Sequence, residues 1–171
     1  TTDIFVFNKD LGEYFEKVVS EFEPRLPLEE LQYLIKLAYN YINTDLQALL
    51  KNRAFSEKEF PITAENFAEF ITLIWEGNIS SKIAKIVLEE MFRAGADPSH
   101  IIQEQDLGLI TDTTKIEKIV KIILQKNQKA IQDYKGGKKE VLQFLIGEVM
   151  QESRGRVNPQ IVANLFKKLI S

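Results

Sequence analysis

The chain has 171 residues, of which 44% are hydrophobic and 27% charged, and it contains no cysteine. That length and balance describe a globular protein with a core of its own. They exclude disulfides, thiolate nucleophiles and cysteine metal sites, and no apolar run approaches the roughly 20 residues a membrane-spanning helix needs. No leader pattern opens the sequence; the lack of cysteine fits a reducing cytosol, and a cytoplasmic location with no membrane partner is expected. The start at Thr1 rather than methionine suggests a piece of a longer protein.

The net charge of −3 conceals a division. Residues 1–78 hold seven Lys/Arg against fourteen Asp/Glu, a net of −7. Residues 79–171 hold fifteen against eleven, a net of +4, and within them 115–171 hold twelve against five, a net of +7. This asymmetry predicts two domains, 1–78 and 79–171, the second with a basic surface able to meet phosphate. Lysines that merely solvate helix faces account for the same counts equally well.

In chain order, "DIFVF" (3–7) reads as a short extended remnant. "DLGEYFEKVVSEF" (10–22) places Leu11, Phe15, Val18, Val19 and Phe22 on one helical stripe. Pro24 and Pro27 interrupt it. "LEELQYLIKLAYNYINTDLQALL" (28–50) resumes a longer helix, with Leu31, Leu34, Ile35, Ala38, Ile42, Leu46, Leu49 and Leu50 turned inward and a bend or break expected at Asn43-Thr44-Asp45. "KNRAFSEKEFPI" is a polar connection anchored by Phe55 and Phe60. Thr63 caps a helix that stops at Gly77. Ser80 or Ser81 caps the next, which closes at Gly95. Asp97-Pro98 opens a short helix. Thr111 or Asp112 caps "TTKIEKIVKIILQKN"; then follow "QKAIQDYKGG", "KKEVLQFLIGEVMQES", an Arg-Gly-Arg bend, and a last helix started by Asn158-Pro159. The expected fold class is therefore all-α: about nine helices, a helical bundle domain followed by a smaller helical tail domain, divided near Gly77-Asn78.

Little in this inventory supports bond chemistry. His100 is the single histidine and reads as a solvent-facing first-turn residue. Glu29-Glu30 and Glu89-Glu90 are surface-helix pairs. No serine lies in a nucleophile turn, and no phosphate-cradling glycine loop is present. Trp75 and the phenylalanines sit at helical spacing and read as core. No catalytic or metal-ligating residue is assigned.

The basic end is more informative. Lys115, Lys118, Lys121, Lys126 and Lys129 leave Ile116, Ile119, Val120, Ile123 and Leu124 for a core. "DYKGGKK" sets Lys135, Lys138 and Lys139 around Gly136-Gly137, where the backbone can approach a partner ahead of a helix N-terminus. Arg154 and Arg156 flank Gly155, and arginine offers always-charged, two-pronged contacts to phosphate. A plain helical turn with solubilising cations is the competing reading of both bends. Gly147, inside "VLQFLIGEVM", is about 1 kcal/mol worse for a helix than alanine. Close helix crossing is the expected reason, and close approach of a ligand the other.

Taken together, "DLGEYFEKVV", "GNISSKIAKIVLEEMFRAGADPSHIIQEQDLGLITD" and "IQDYKGGKKEVLQFLIGEVMQESRGRVNPQIVANLFKKL" resemble the C-terminal part of the GatB subunit of the aspartyl/glutamyl-tRNA amidotransferase, the GatB/YqeY family. The likeness rests on a Gly-x-Ile-Ser-x-Lys-Ile-Ala-Lys run, a Gly-x-Asp-Pro turn and the Phe-Leu-x-Gly-x-Val-Met segment, in order over roughly 10–170. Gln143 stands where the family commonly has glycine, and Glu152 where it has basic residues. Arg154 and Arg156 keep the charge of lysines common around that glycine.

The resemblance implies a helical domain plus a YqeY-like tail that grips the tRNA body. The full complex converts Glu-tRNA(Gln), and often Asp-tRNA(Asn), to the amidated form. The partners would be tRNA, an amidase subunit that releases ammonia from glutamine, and a small third subunit. ATP and magnesium would serve the N-terminal part of GatB, with no cofactor in this region and no enzymatic activity of its own. The implied tRNA-binding residues are Lys135, Gly136, Lys138, Lys139, Arg154, Gly155 and Arg156. The alternative is a non-catalytic protein-interaction module without nucleic-acid contact.

Overall fold

A computed structural model describes residues 9–51 and 55–171; the extended segment expected at 3–7 lies outside them. Among the described residues there is no strand, and the fold is all-α. The first unit ends at Leu107 and the second spans Gly108–Ser171.

In the first unit, α1 (Lys9–Ser20) buries Leu11, Tyr14 and Val18. Tyr14, not among the residues of the expected stripe, is only 1% exposed. Its ring packs against Phe55 (centroids 5.2 Å apart), Phe60 (5.3 Å) and Phe67 (6.2 Å). The hydroxyl donates to the Ile62 carbonyl at 3.0 Å, which satisfies the polar group that burial would otherwise penalise. Burial, reinforced by Glu57, pushes the phenol well above its ordinary range.

α2 (Leu28–Tyr41), a π-helical segment (Ile42–Leu46) and α3 (Gln47–Leu50) form one continuous rod. The break expected at 43–45 is this π segment, where Thr44 also donates back to the Asn40 carbonyl at 2.7 Å. The buried positions explain it. Leu34, Ala38, Ile42, Leu46 and Leu50 recur every four residues. In an α-helix of 3.6 residues per turn, each such step drifts about 40° around the axis. A wider π turn takes more than four residues, so it rotates the stripe back toward the core.

α4 (Ala64–Trp75), α5 (Ser81–Ala94) and α6 (Pro98–Glu104) complete this unit. Thr63, Ser80 and Asp97 cap them by accepting from the backbone N–H groups of Asn66, Ile83 and His100. Gly77 adopts φ +74° and Gly95 φ +64°, left-handed conformations that cost glycine least. Ile83, Ala84, Val87, Leu88, Met91 and Ile101 join the same core as α1 and α4. The packing division therefore falls at 107/108, whereas the charge balance changes near 78: surface charge and core membership are set by opposite faces of α5 and α6. Counted by unit, residues 1–107 carry ten Lys/Arg against nineteen Asp/Glu, a net of −9, and 108–171 carry twelve against six, a net of +6.

The second unit contains α7 (Thr113–Lys126), α8 (Gln128–Lys135), α9 (Val141–Glu152) and α10 (Pro159–Ile170). Its core is Ile116, Val120 and Ile123 from α7, Leu145, Ile146 and Val149 from α9, Val157, and Val162, Phe166 and Ile170 from α10. Asp112 caps α7 through the Thr114 N–H at 2.9 Å, and Asn158 caps α10 through the Gln160 N–H at 2.9 Å. Counting the Leu28–Leu50 rod once, the described residues form nine helices.

Candidate nucleic-acid interface

The two basic bends lie at opposite ends of α9. Between Lys138-Lys139 and Arg154 stand its twelve residues, about 18 Å at 1.5 Å per residue. The structure thus brings Lys135, Gly136, Lys138 and Lys139 together and sets Arg154, Gly155 and Arg156 apart from them. A single phosphate cannot touch both groups.

At the first bend, α8 ends in a tight hydrogen-bonded cap. The Gly137 N–H donates to Tyr134 O and the Lys138 N–H to Asp133 O, each at 3.0 Å. This pair of bonds places a left-handed residue one position past the cap. That residue is Gly137, at φ +102°. Gly136 has an ordinary φ of −74°, and a β-carbon there would meet Asp133 and Gln132 carbonyls at an unforced 3.4 Å. The glycine that the turn requires is thus the second of the pair. Lys135, Lys138 and Lys139 are exposed. Lys138 Nζ lies 3.6 Å from the Asp133 carboxylate, and Lys139 Nζ sits 4.4 Å over the Tyr134 ring, a cation–π contact that orients it.

The second bend repeats this geometry with a different residue in the strained place. The Arg154 N–H donates to Gln151 O at 3.1 Å, and the Gly155 N–H to Met150 O at 2.7 Å. The left-handed position belongs to Arg154, at φ +56°, followed by Gly155 at +77°. For a residue with a β-carbon that conformation costs about 1–2 kcal/mol. Ser153 is 5% exposed beneath the turn. Its hydroxyl donates to the Met150 carbonyl at 3.3 Å.

The two arginines differ. Arg154 is exposed, whereas Arg156 is half-buried and Gly155 buried. Arg156 Nε donates to Gly108 O at 2.9 Å, and its carbonyl accepts from the Ile110 N–H at 2.6 Å. Arg156 therefore ties the entry segment of this unit to the bend. Sequence spacing showed two equivalent cations, and tertiary contact makes one of them an internal brace. Lys115, Lys118, Lys121, Lys126 and Lys129 are all exposed along α7 and the start of α8.

Two residues behave differently from expectation. Gly147 is exposed, and a β-carbon built there meets nothing within 4 Å. Among the described residues no helix packs against it, so the expected close crossing is not its reason. Phe144 is 52% exposed, not core. The signal was present in "FLI": three consecutive apolar residues on a helix span about 200°, and Leu145 and Ile146 take the inner positions.

His100 is exposed, with Nε2 3.6 Å from Glu104. The Arg93 guanidinium bonded to Glu90 holds that carboxyl below its ordinary range. Among the described residues no group of three or more His, Asp or Glu is placed to hold a metal, and no helix is long and apolar enough to cross a membrane.

Comparison with known proteins matches the GatB domain model over residues 13–170. Among curated proteins, the chain is 35% identical over 169 residues to the GatB subunit of the aspartyl/glutamyl-tRNA(Asn/Gln) amidotransferase of Clostridium beijerinckii, covering 99% of this chain and 33% of that protein. It is 36% identical over 165 residues to the corresponding protein of Moorella thermoacetica, covering 96% and 33%. With that of Thermotoga maritima it shares 35% over 167 residues, covering 98% and 33%. The chain spans about a third of the length of these relatives.

Proposed function

The chain belongs to the GatB/YqeY family, and from that premise we propose that it is the tRNA-gripping, substrate-positioning C-terminal part of the GatB subunit of an aspartyl/glutamyl-tRNA amidotransferase. The observation that carries the reading is the charge of the second packing unit. Within a protein of net −3, residues 108–171 hold +6. The lysines of α7 and of the α8–α9 bend are exposed. Such a surface meets the phosphate backbone without reading bases, and it supplies orientation energy instead of bond chemistry. Lys135, Lys138, Lys139 and Arg154 make the contacts, with Gly137 shaping the first turn and Arg156 holding the second in place.

The amidase and the small third subunit are partners of the whole protein in this reading. ATP and magnesium, implied for the full enzyme, serve the remainder of the full protein in this reading. The second reading, a protein-interaction module without nucleic-acid contact, draws on the acidic first unit, where Leu28 is 69% and Tyr33 56% exposed on α2.

The test is a salt titration of binding between the 171-residue chain and a tRNA(Gln) transcript. Each neutralised phosphate adds about 0.7–0.9 to the magnitude of the log–log slope. Lys138→Glu/Lys139→Glu and Arg154→Glu variants should each bind more weakly with a shallower slope. Binding that is absent, or indifferent to salt and to both variants, rejects the tRNA reading in favour of the protein-interaction module.

A further inference from the structure

Where α7 turns into α8, an open cleft of about 370 Å³ is lined by Lys126, Asn127, Lys129, Asp133, Val141 and Phe144. One wall is aromatic and half in water: Phe144 is 52% exposed. Lys126 and Lys129 bring positive charge to the cleft. The negative charge of Asp133 is answered by Lys138 at 3.6 Å.

Gly147 stands three residues further along α9, about 60° around the helix from Phe144. Both are exposed, and among the described residues no other element comes within 4 Å of a β-carbon built on Gly147. Alanine would fit there and would favour the helix. A half-exposed ring outside the buried core and a bare helix surface thus lie close together on α9. A flat ligand with a trailing anionic chain makes sense of both, since its ring stacks while its chain passes where no side chain stands.

Resting on the RNA-binding reading above, we infer that this cleft takes an unpaired nucleobase of the bound RNA. The base stacks on Phe144, its ribose–phosphate backbone crosses α9 at Gly147, and Lys126 and Lys129 meet the phosphate. Stacking on an aromatic face is tolerant of base identity, and the cleft volume is at the small end of ligand sites. The site lies on the length of α9 that separates the two basic bends, so it adds a contact between them.

The experiment uses the whole chain with two probes: a tRNA(Gln) transcript, and a single-stranded RNA hexamer carrying 2-aminopurine. Wild-type protein should bind both and quench the 2-aminopurine emission by stacking. Phe144→Ala should weaken hexamer binding by roughly ten-fold, within the range found for loss of one stacked base, and abolish the quench. Phe144→Trp should restore both. Gly147→Leu places a helix-favouring side chain in open space and should weaken binding while helical content holds. If Phe144→Ala binds and quenches like wild type while Arg154→Glu loses tRNA, the cleft inference falls and the RNA reading stands. If the wild-type chain binds neither probe, both fall.

Discussion

Arg154 lets strain and function be separated by one substitution, Arg154→Gly. In the folded chain its φ is +56°. Its N–H bond to Gln151 O at 3.1 Å and the Gly155 bond to Met150 O at 2.7 Å close the C-terminus of α9. Relief of the left-handed penalty returns about 1–2 kcal/mol, and the extra freedom of glycine in the unfolded chain removes about 0.5–1 kcal/mol of that. The net expectation is a stabilisation of about 0.5–1 kcal/mol. For a domain of this size that corresponds to roughly 2–8 °C in melting temperature. Amide exchange at Gly155 should slow by about two- to five-fold, because each 1.4 kcal/mol is ten-fold. The same variant should bind tRNA(Gln) more weakly, with a salt slope shallower by about 0.7–0.9 if one phosphate contact is lost. Stability and affinity then move in opposite directions, as expected when a strained residue is kept for contact. A more stable Arg154→Gly protein with unchanged affinity and slope would show that the arginine is only tolerated there. A less stable one would refute the strain argument itself.

Phe166 is fully buried at the centre of the second core. Phe166→Ala should lower its stability by about 3–5 kcal/mol, a large share of what a domain this small possesses, as chemical denaturation will read. Tyr14 titrates far above its ordinary value because it is buried, whereas in the unfolded chain a phenol loses its proton near pH 10. The unfolded state then binds fewer protons than the native state above that pH, so stability is complete below about pH 10 and falls as pH rises further. Tyr14→Phe should flatten the decline in the denaturant midpoint between about pH 10 and 12 while losing roughly 1 kcal/mol near neutrality. Arg156→Ala removes the Nε bond to Gly108 O and should loosen exchange protection of the Ile110 amide more than it alters the salt slope of tRNA binding. An equal loss of slope to Arg154→Gly would contradict the division of labour between the two arginines.

Local chemistry was legible in the sequence because its determinants are neighbours along the chain. Thr63, Ser80, Asp97, Asp112 and Asn158 cap helices by reaching N–H groups two or three residues away, a distance fixed by helix geometry. The all-α class and most inward-facing positions followed from three-and-four spacing. The family motifs, too, are linear patterns, and they carry the chain's kinship over roughly residues 10–170 without reference to packing.

What only the tertiary structure decided is which residues meet across the chain. Charge counting placed a boundary near 78, but the apolar faces of α5 and α6 belong to the first core, and cores rather than surfaces define packing units. Tyr14 becomes core because Ile62, far along the chain, supplies its hydroxyl with an acceptor. Arg154 and Arg156 are alike in sequence, yet contact with Gly108 and Ile110 makes one a brace while the other stays exposed. The bareness of Gly147 was likewise invisible in the linear pattern, since the absence of a neighbour over a helix face is a property of every other element's position. Caps and stripes are set by contacts within one turn or one helix, whereas interfaces and clefts depend on long-range packing that no local spacing encodes.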